Sequence, residues 1–267
     1  MSDKLAEVLA DLEREGDQLD DLVAPLDEAG WRTPTPADGW DVRHQVAHLA
    51  WTDEVAVAAA TDKQAWDGYV LQAIEDPEGF VDQEAARGAE APHDELLARW
   101  RTARRALAAT LAAHPAGEKL PWFGPPMSPT SMATARFMET WAHARDVADA
   151  LGVELPRDDR VRHVVHLGYR TRGFAFANAG REVPAAEIRV ELTLPSGEAM
   201  ALGPDTAEQS VRGSAYDFAL LVTQRAHRED LDLVATGRDA DAWLDVAQAF
   251  AGPSGGGREP RGDRSPA

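Results

Sequence analysis

Apolar residues recur at helical spacing from the start of the chain: Leu5, Val8, Leu9, Leu12, Leu19, Leu22, Val23 and Leu26. That period predicts a first amphipathic helix over 3–28. A turn-rich segment with Pro34, Pro36 and Gly39 follows, then Asp41 at an N-cap position, preceded by Trp40. The next helix is predicted over 42–60, and residues 62–76 and 80–87 read as one helix interrupted near Pro77 and Gly79. Asp94 is placed to cap a helix over 95–113, ended by His114-Pro115. Leu120–Pro129, rich in Pro and Gly, reads as loop. A helix over 130–151 is closed by Gly152, and another spans 158–179.

The pattern then changes. Ile188, Val190, Leu192 and Leu194 share one face of an alternating segment, with charges on the other. Pro195-Ser196-Gly197 is a turn, and 198–202 returns as a partner strand. Residues 208–212 and 231–236 are further short strands, and 216–227 and 240–250 read as helices. The fold class is mainly α: a helical unit over 1–182, then a small α+β unit over 183–251, the boundary lying near 181–186. Residues 252–267 lack apolar content and are expected to be a disordered tail. The Arg261-Gly262-Asp263 triplet inside it is read as chance.

Composition narrows the chemistry. Cysteine is absent, which excludes disulfides, a thiolate metal site and a cysteine nucleophile. Any metal must be held by nitrogen and oxygen, and any reacting thiol must arrive with a ligand. The net charge of −19 repels phosphate backbones, so nucleic acid is not an expected partner. No stretch approaches the roughly 20 apolar residues of a membrane span, and the N-terminus lacks a signal-peptide layout. A cytoplasmic protein is expected.

Two helices carry side chains suited to metal. His44 and His48 lie four apart on one, and Glu139 and His143 four apart on the other, so each pair projects from one face. Bundles build metal sites from inward side chains on facing helices. Two imidazoles and a carboxylate leave positions open, the pattern of catalytic zinc. On spacing alone, an ordinary surface pair at Glu139 and His143 and a core histidine at His48 are equally consistent. His163 and His166, with no evident carboxylate partner, read as solvated or core residues. Trp51, Trp66, Trp100 and Trp141 read as core, whereas Trp122-Phe123 is a candidate lining or lid for the pocket.

The segment Gly39-Trp40-Asp41-Val42-Arg43-His44-Gln45-Val46-Ala47-His48-Leu49 resembles the GW-x-V-x-x-x-x-AHL signature of DinB-like metal-binding proteins, in the branch of mycothiol-dependent maleylpyruvate isomerases. Met138–Val147 resembles that branch's E-x-x-x-H-x-x-D helix. The resemblance extends to about residue 251 and implies an up-down helical bundle followed by a small sterol-carrier-like α+β domain. It implies His48, Glu139 and His143 as metal ligands. Their nitrogen and oxygen donors suit zinc best, with iron, nickel and manganese also open. Where the family usually has an acid, this chain has His44, a fourth ligand or a supporting residue. Leu220–Arg225 is similar to a segment whose arginine serves the isomerase site, so Arg225 is a candidate to bind a substrate carboxylate, or else a solvated helix-end arginine.

The implied function is thiol-dependent isomerisation or S-transfer on a small electrophile, with mycothiol as cosubstrate, by a monomer or homodimer. Metal-assisted hydrolysis is the alternative, with His44, Asp53 or Asp146 as nominal bases. A non-catalytic metal-binding protein is the third.

Overall fold

Ser2 opens the first helix, α1 (Asp3–Val23), by accepting a hydrogen bond from the Leu5 amide at 3.2 Å. The computed structural model describes residues 2–115, 117–253 and 255–262. Helix α1 stops short of the expected 28, because Pro25 lacks an amide to continue the ladder. Asp27 then caps the single turn α2 (Glu28–Trp31). Next come α3 (Val42–Thr61), α4 (Lys63–Glu75), α5 (Phe80–Ala89), α6 (His93–Ala113) and α7 (Pro129–Leu151). Asp41 caps α3 as expected, and Gly152 closes α7 in the left-handed conformation (φ 66°). Asp94 is not the cap of α6: the helix begins after Pro92, whose fixed φ suits the entry, and Asp94 lies in the first turn beside the amide dipoles.

The chain divides into two compact units at Leu155/Pro156. In the first, α1 packs on α7, and α3 packs on α5, α6 and α7. Leu19, Trp31, Val46, Leu49, Leu96, Trp100 and Val147 form its core. Helix α7 is buried on nearly every side, so its charged groups need partners inside: Arg145 pairs with Glu15, and Arg136 with Asp53.

Asp20 on α1 accepts hydrogen bonds from Arg101 on α6, Nε to Oδ2 at 2.7 Å and Nη2 to Oδ1 at 2.5 Å. These bonds hold its carboxyl below the usual 3.8, against a smaller upward push from burial. A depressed folded pKa stabilises fully above the unfolded value, and the benefit is lost as pH falls through the folded one. The pair is partly exposed, so its worth is about 0.2–1 kcal/mol. Asp20→Asn is expected to lower the unfolding midpoint slightly at pH 7 and to have no effect below the folded pKa, as denaturant titrations across pH would show.

The second unit holds a sheet of β1 (Ile188–Thr193), β2 (Ala199–Leu202), β3 (Gln209–Ser214) and β4 (Leu233–Thr236), in the order β2-β1-β3-β4. The β1–β2 and β3–β4 pairs are antiparallel and β1–β3 is parallel. The expected helix over 158–179 is broken into a 3₁₀ turn (Asp159–Val161), α8 (Arg162–Arg170) and α9 (Arg172–Asn178). At the break the Thr171 hydroxyl donates to the Leu167 carbonyl at 3.1 Å, competing with the helical ladder. Helix α8 packs on β2 and on α10 (Ala215–Val222), which places this hairpin in the second unit. The compact division thus falls earlier than the change of pattern near 181–186. α11 (Arg238–Leu244) completes the unit, its Trp243 meeting Phe218 edge-on at 5.6 Å. Ser254 and 263–267, with Asp263 of the tail triplet, lie outside the described residues. Among the described residues no helix is long and apolar enough to cross a membrane.

Candidate metal centre

Helices α3 and α7 run antiparallel along a shared stripe of polar side chains. Thr52 meets Arg136, His48 meets Glu139, and Gln45 meets His143. The helical repeat puts 45, 48 and 52 on one face of α3, and 136, 139 and 143 on one face of α7.

The three expected ligands come together. His143 Nε2 lies 3.2 Å from Glu139 Oε2, and His48 Nε2 lies 3.5 Å from the same oxygen. The two imidazole rings are 4.6 Å apart. A ligand atom from each residue lies within 4.8 Å of the others. Burial pushes the Glu139 carboxyl up, but hydrogen bonds and charge from His143 and His48 outweigh it and hold the group well below its usual 4.5. An ionised carboxylate facing two imidazole nitrogens demands positive charge among them. The donors are oxygen and nitrogen without thiolate, which suits a divalent ion of the zinc type with positions left for other ligands.

Trp40 covers the rings, 5.4 Å from His48 and stacked on His143 at 6.0 Å. Its indole Nε1 donates to Asp82 Oδ1 on α5 at 3.0 Å. Trp51 flanks His48 at 6.0 Å and leads into an aromatic cluster. Trp122 stacks on Trp66 at 6.1 Å, and Phe123 meets Trp66 and Phe80 at 5.0 and 6.0 Å. Trp122 and Phe123 thus join the cluster behind Trp51.

A buried charged layer lies one turn from the candidate ligands. Arg136 Nε donates to Asp53 Oδ1 at 2.9 Å, and Nη2 to Thr52 Oγ1 at 2.6 Å. Thr52 in turn donates to the His48 carbonyl at 2.7 Å. Burial pushes the Asp53 carboxyl above its usual 3.8 although Arg136 pulls it down.

His44 sits in the capping box of α3, its Nδ1 2.7 Å from Asp41 Oδ1, and so supports the helix start. Of the nominal bases, Asp53 is engaged by Arg136, His44 by Asp41, and Asp146 is fully buried. His163 is buried on α8 of the second unit, with His166 half-buried. Arg225 is in the second unit, just after α10, half-buried, with Nη1 donating to the Thr223 carbonyl at 2.7 Å. Gln224 before it adopts a positive φ of 58° at the helix end.

Sequence reasoning missed Gln45, Trp40 and Arg136. Only their positions one helical turn from a ligand, or beside the cap, could have marked them.

Residues 12–148, a span containing all three candidate ligands, match the family described as Mycothiol maleylpyruvate isomerase N-terminal domain. The chain is 52% identical over 250 residues to Uncharacterized protein Rv0036c of Mycobacterium tuberculosis (strain ATCC 25618 / H37Rv), covering 94% of this chain and 97% of the relative. Uncharacterized protein MT0041 of strain CDC 1551 / Oshkosh matches to the same extent. Among solved structures, the crystal structure of the mycothiol-dependent maleylpyruvate isomerase superposes with a TM-score of 0.59 at 16% identity, covering 88% of this chain and 96% of the other. A histidine-to-alanine mutant of that enzyme aligns equally well. At that identity the likeness is one of fold.

Proposed function

The chain belongs to the mycothiol maleylpyruvate isomerase N-terminal domain family, and on that premise we propose a divalent-metal-dependent enzyme that uses a low-molecular-weight thiol of the mycothiol kind either to isomerise a small electrophile or to join the intact thiol to it through a new carbon–sulfur bond. The supporting observation is the convergence of His48 Nε2, His143 Nε2 and the Glu139 carboxylate, held ionised between them. A bound divalent metal would supply Lewis acidity and stabilise an incoming thiol, whose free pKa is about 8.5, as thiolate at neutral pH. With a metal bound, the two imidazoles would be neutral donors and Glu139 would contribute one negative charge. Trp40 shields the rings from water on one side, and Trp51 on another. With no cysteine in the chain, the sulfur comes with the cosubstrate. Hydrolysis is less favoured, because Asp53 and His44, two of the nominal bases, are engaged elsewhere. Arg225 is the candidate for a substrate carboxylate, through bidentate hydrogen bonds.

The test loads the purified protein with zinc and assays small cis-α,β-unsaturated acids, maleylpyruvate among them, with and without mycothiol. Turnover is expected only when metal and thiol are both present. Full turnover without thiol overturns the thiol assignment, and full thiol-dependent turnover after chelation overturns the metal assignment. Arg225→Gln is expected to raise KM for an acidic substrate about tenfold or more, in line with loss of a charge-assisted bond of about 1.5–3 kcal/mol.

A further inference from the structure

We infer that Gln45 is a positioning residue for His143: its amide oxygen keeps the ring proton on Nδ1 and leaves Nε2 as the nitrogen offered to Glu139 and the metal site. The direction of each hydrogen bond follows from the one before it. Thr35 has a single hydroxyl proton, which it donates to the Trp40 carbonyl at 2.9 Å. Towards Gln45 the Thr35 oxygen therefore accepts, and Gln45 Nε2 donates to it at 2.8 Å. That settles which end of the amide faces His143. It is Oε1, which can only accept, 2.5 Å from Nδ1. Nδ1 must carry the hydrogen, so the proton that Glu139 accepts from Nε2 is the one a metal displaces, and Nε2 then presents its lone pair. Gln45 is fully buried, so water does not stand in for it.

The chain of bonds is anchored in the loop before α3. Pro34 and Asp41 form an isolated antiparallel bridge there, and the Thr35 amide also donates to the Trp40 carbonyl at 2.8 Å. Gly39 makes the turn at φ 74°. The loop that lays the Trp40 ring over both histidines thus also terminates the relay. His48 has no equivalent: its Nδ1 is buried without a hydrogen-bond partner among the described residues. The lock belongs to His143 alone of the two. Partners of this kind fix ligand tautomers, and losing one typically lowers metal affinity about 10–100-fold.

The purpose of the lock rests on the metal reading proposed above, whereas the tautomer does not. The experiment is long-range ¹H–¹⁵N NMR of the histidine rings in metal-free protein, paired with zinc affinity from chelator competition. Wild type is expected to show His143 protonated at Nδ1. In Gln45→Leu the Nδ1 proton is expected to be lost while Glu139 keeps the one on Nε2, with zinc binding weakened about 10–100-fold. Thr35→Val, in the half-buried loop, is expected to act in the same direction and decides the matter if Gln45→Leu fails to fold. Gln45→Glu keeps an acceptor at the same place and is expected to restore both tautomer and affinity, which a merely structural role would not do. Unchanged Nδ1 protonation in Gln45→Leu and Thr35→Val overturns the inference, as does wild-type zinc affinity in both. If wild type binds no zinc, the metal reading fails and the NMR result still judges Gln45 on its own.

Discussion

Glu139→Gln and His48→Ala are each expected to lose tightly bound divalent metal and, with it, activity. A four-ligand zinc site is worth roughly 10–16 kcal/mol, so one ligand represents roughly 3–4 kcal/mol, or two to three orders of magnitude in affinity. Glutamine keeps the shape of Glu139 but removes the charge that the site holds ionised. It also turns one oxygen into a donor NH₂, so half of its orientations repel the ion. His48→Ala removes a nitrogen that no neighbour replaces, since the ligand atoms that gather here come from His48, Glu139 and His143. Linkage provides a second readout. A ligand at about 1,000 times its Kd stabilises the fold by roughly 4 kcal/mol, so chelation should lower the melting temperature of wild type clearly and that of either variant little. Metal analysis after dialysis, with melting curves before and after chelation, checks both. Full stoichiometry in both variants would remove these residues as ligands.

The second large effect is structural. Arg136→Met is expected to destabilise the first unit by about 3–5 kcal/mol, because it strands the Asp53 carboxylate in the interior. Both side chains are almost wholly buried, 2% and 4% exposed. Thr52 loses its donor at the same time, and Thr52 is what holds the carbonyl of His48. Asp53 already has a raised folded pKa from burial, and removing Arg136 takes away the charge that pulls it down. A group with a raised folded pKa is stabilising below its unfolded value, and that benefit is lost as pH rises through the folded one. The penalty of Arg136→Met should therefore be smaller at pH 5 than at pH 8, because protonating the stranded carboxyl removes its buried charge. Arg136→Met combined with Asp53→Leu should recover most of the loss, since an apolar replacement of a buried pair is often neutral. Urea unfolding at the two pH values measures all three. A penalty that does not change with pH would mean that Asp53 is not the stranded group.

Much of the fold was legible along the chain, because each helix writes its period and its caps locally. Asp41 and Gly152 bound the start of α3 and the end of α7 through contacts within four residues, so those ends were placed to within a residue. The alternation at Ile188, Val190 and Leu192 likewise announced β1, whose buried face it forms. Local signals failed where two were in competition. Pro25 ended α1 despite Leu26 continuing its apolar stripe, and Pro92 displaced Asp94 from the cap of α6. Thr171 broke a helix whose apolar pattern ran on.

What the sequence by itself determined was which residues share a face and which chemistry is allowed: Glu139 with His143 on one helix, His48 on another, no thiolate anywhere, and a family signature joining the two helices. Only the tertiary structure decided that these faces meet, and in which register. Gln45 reaches His143 across 98 positions and Arg136 reaches Asp53 across 83, separations that no local period encodes. Burial of α7 on nearly every side made those polar groups seek partners in the interior, and the antiparallel packing of α3 on α7 chose which ones.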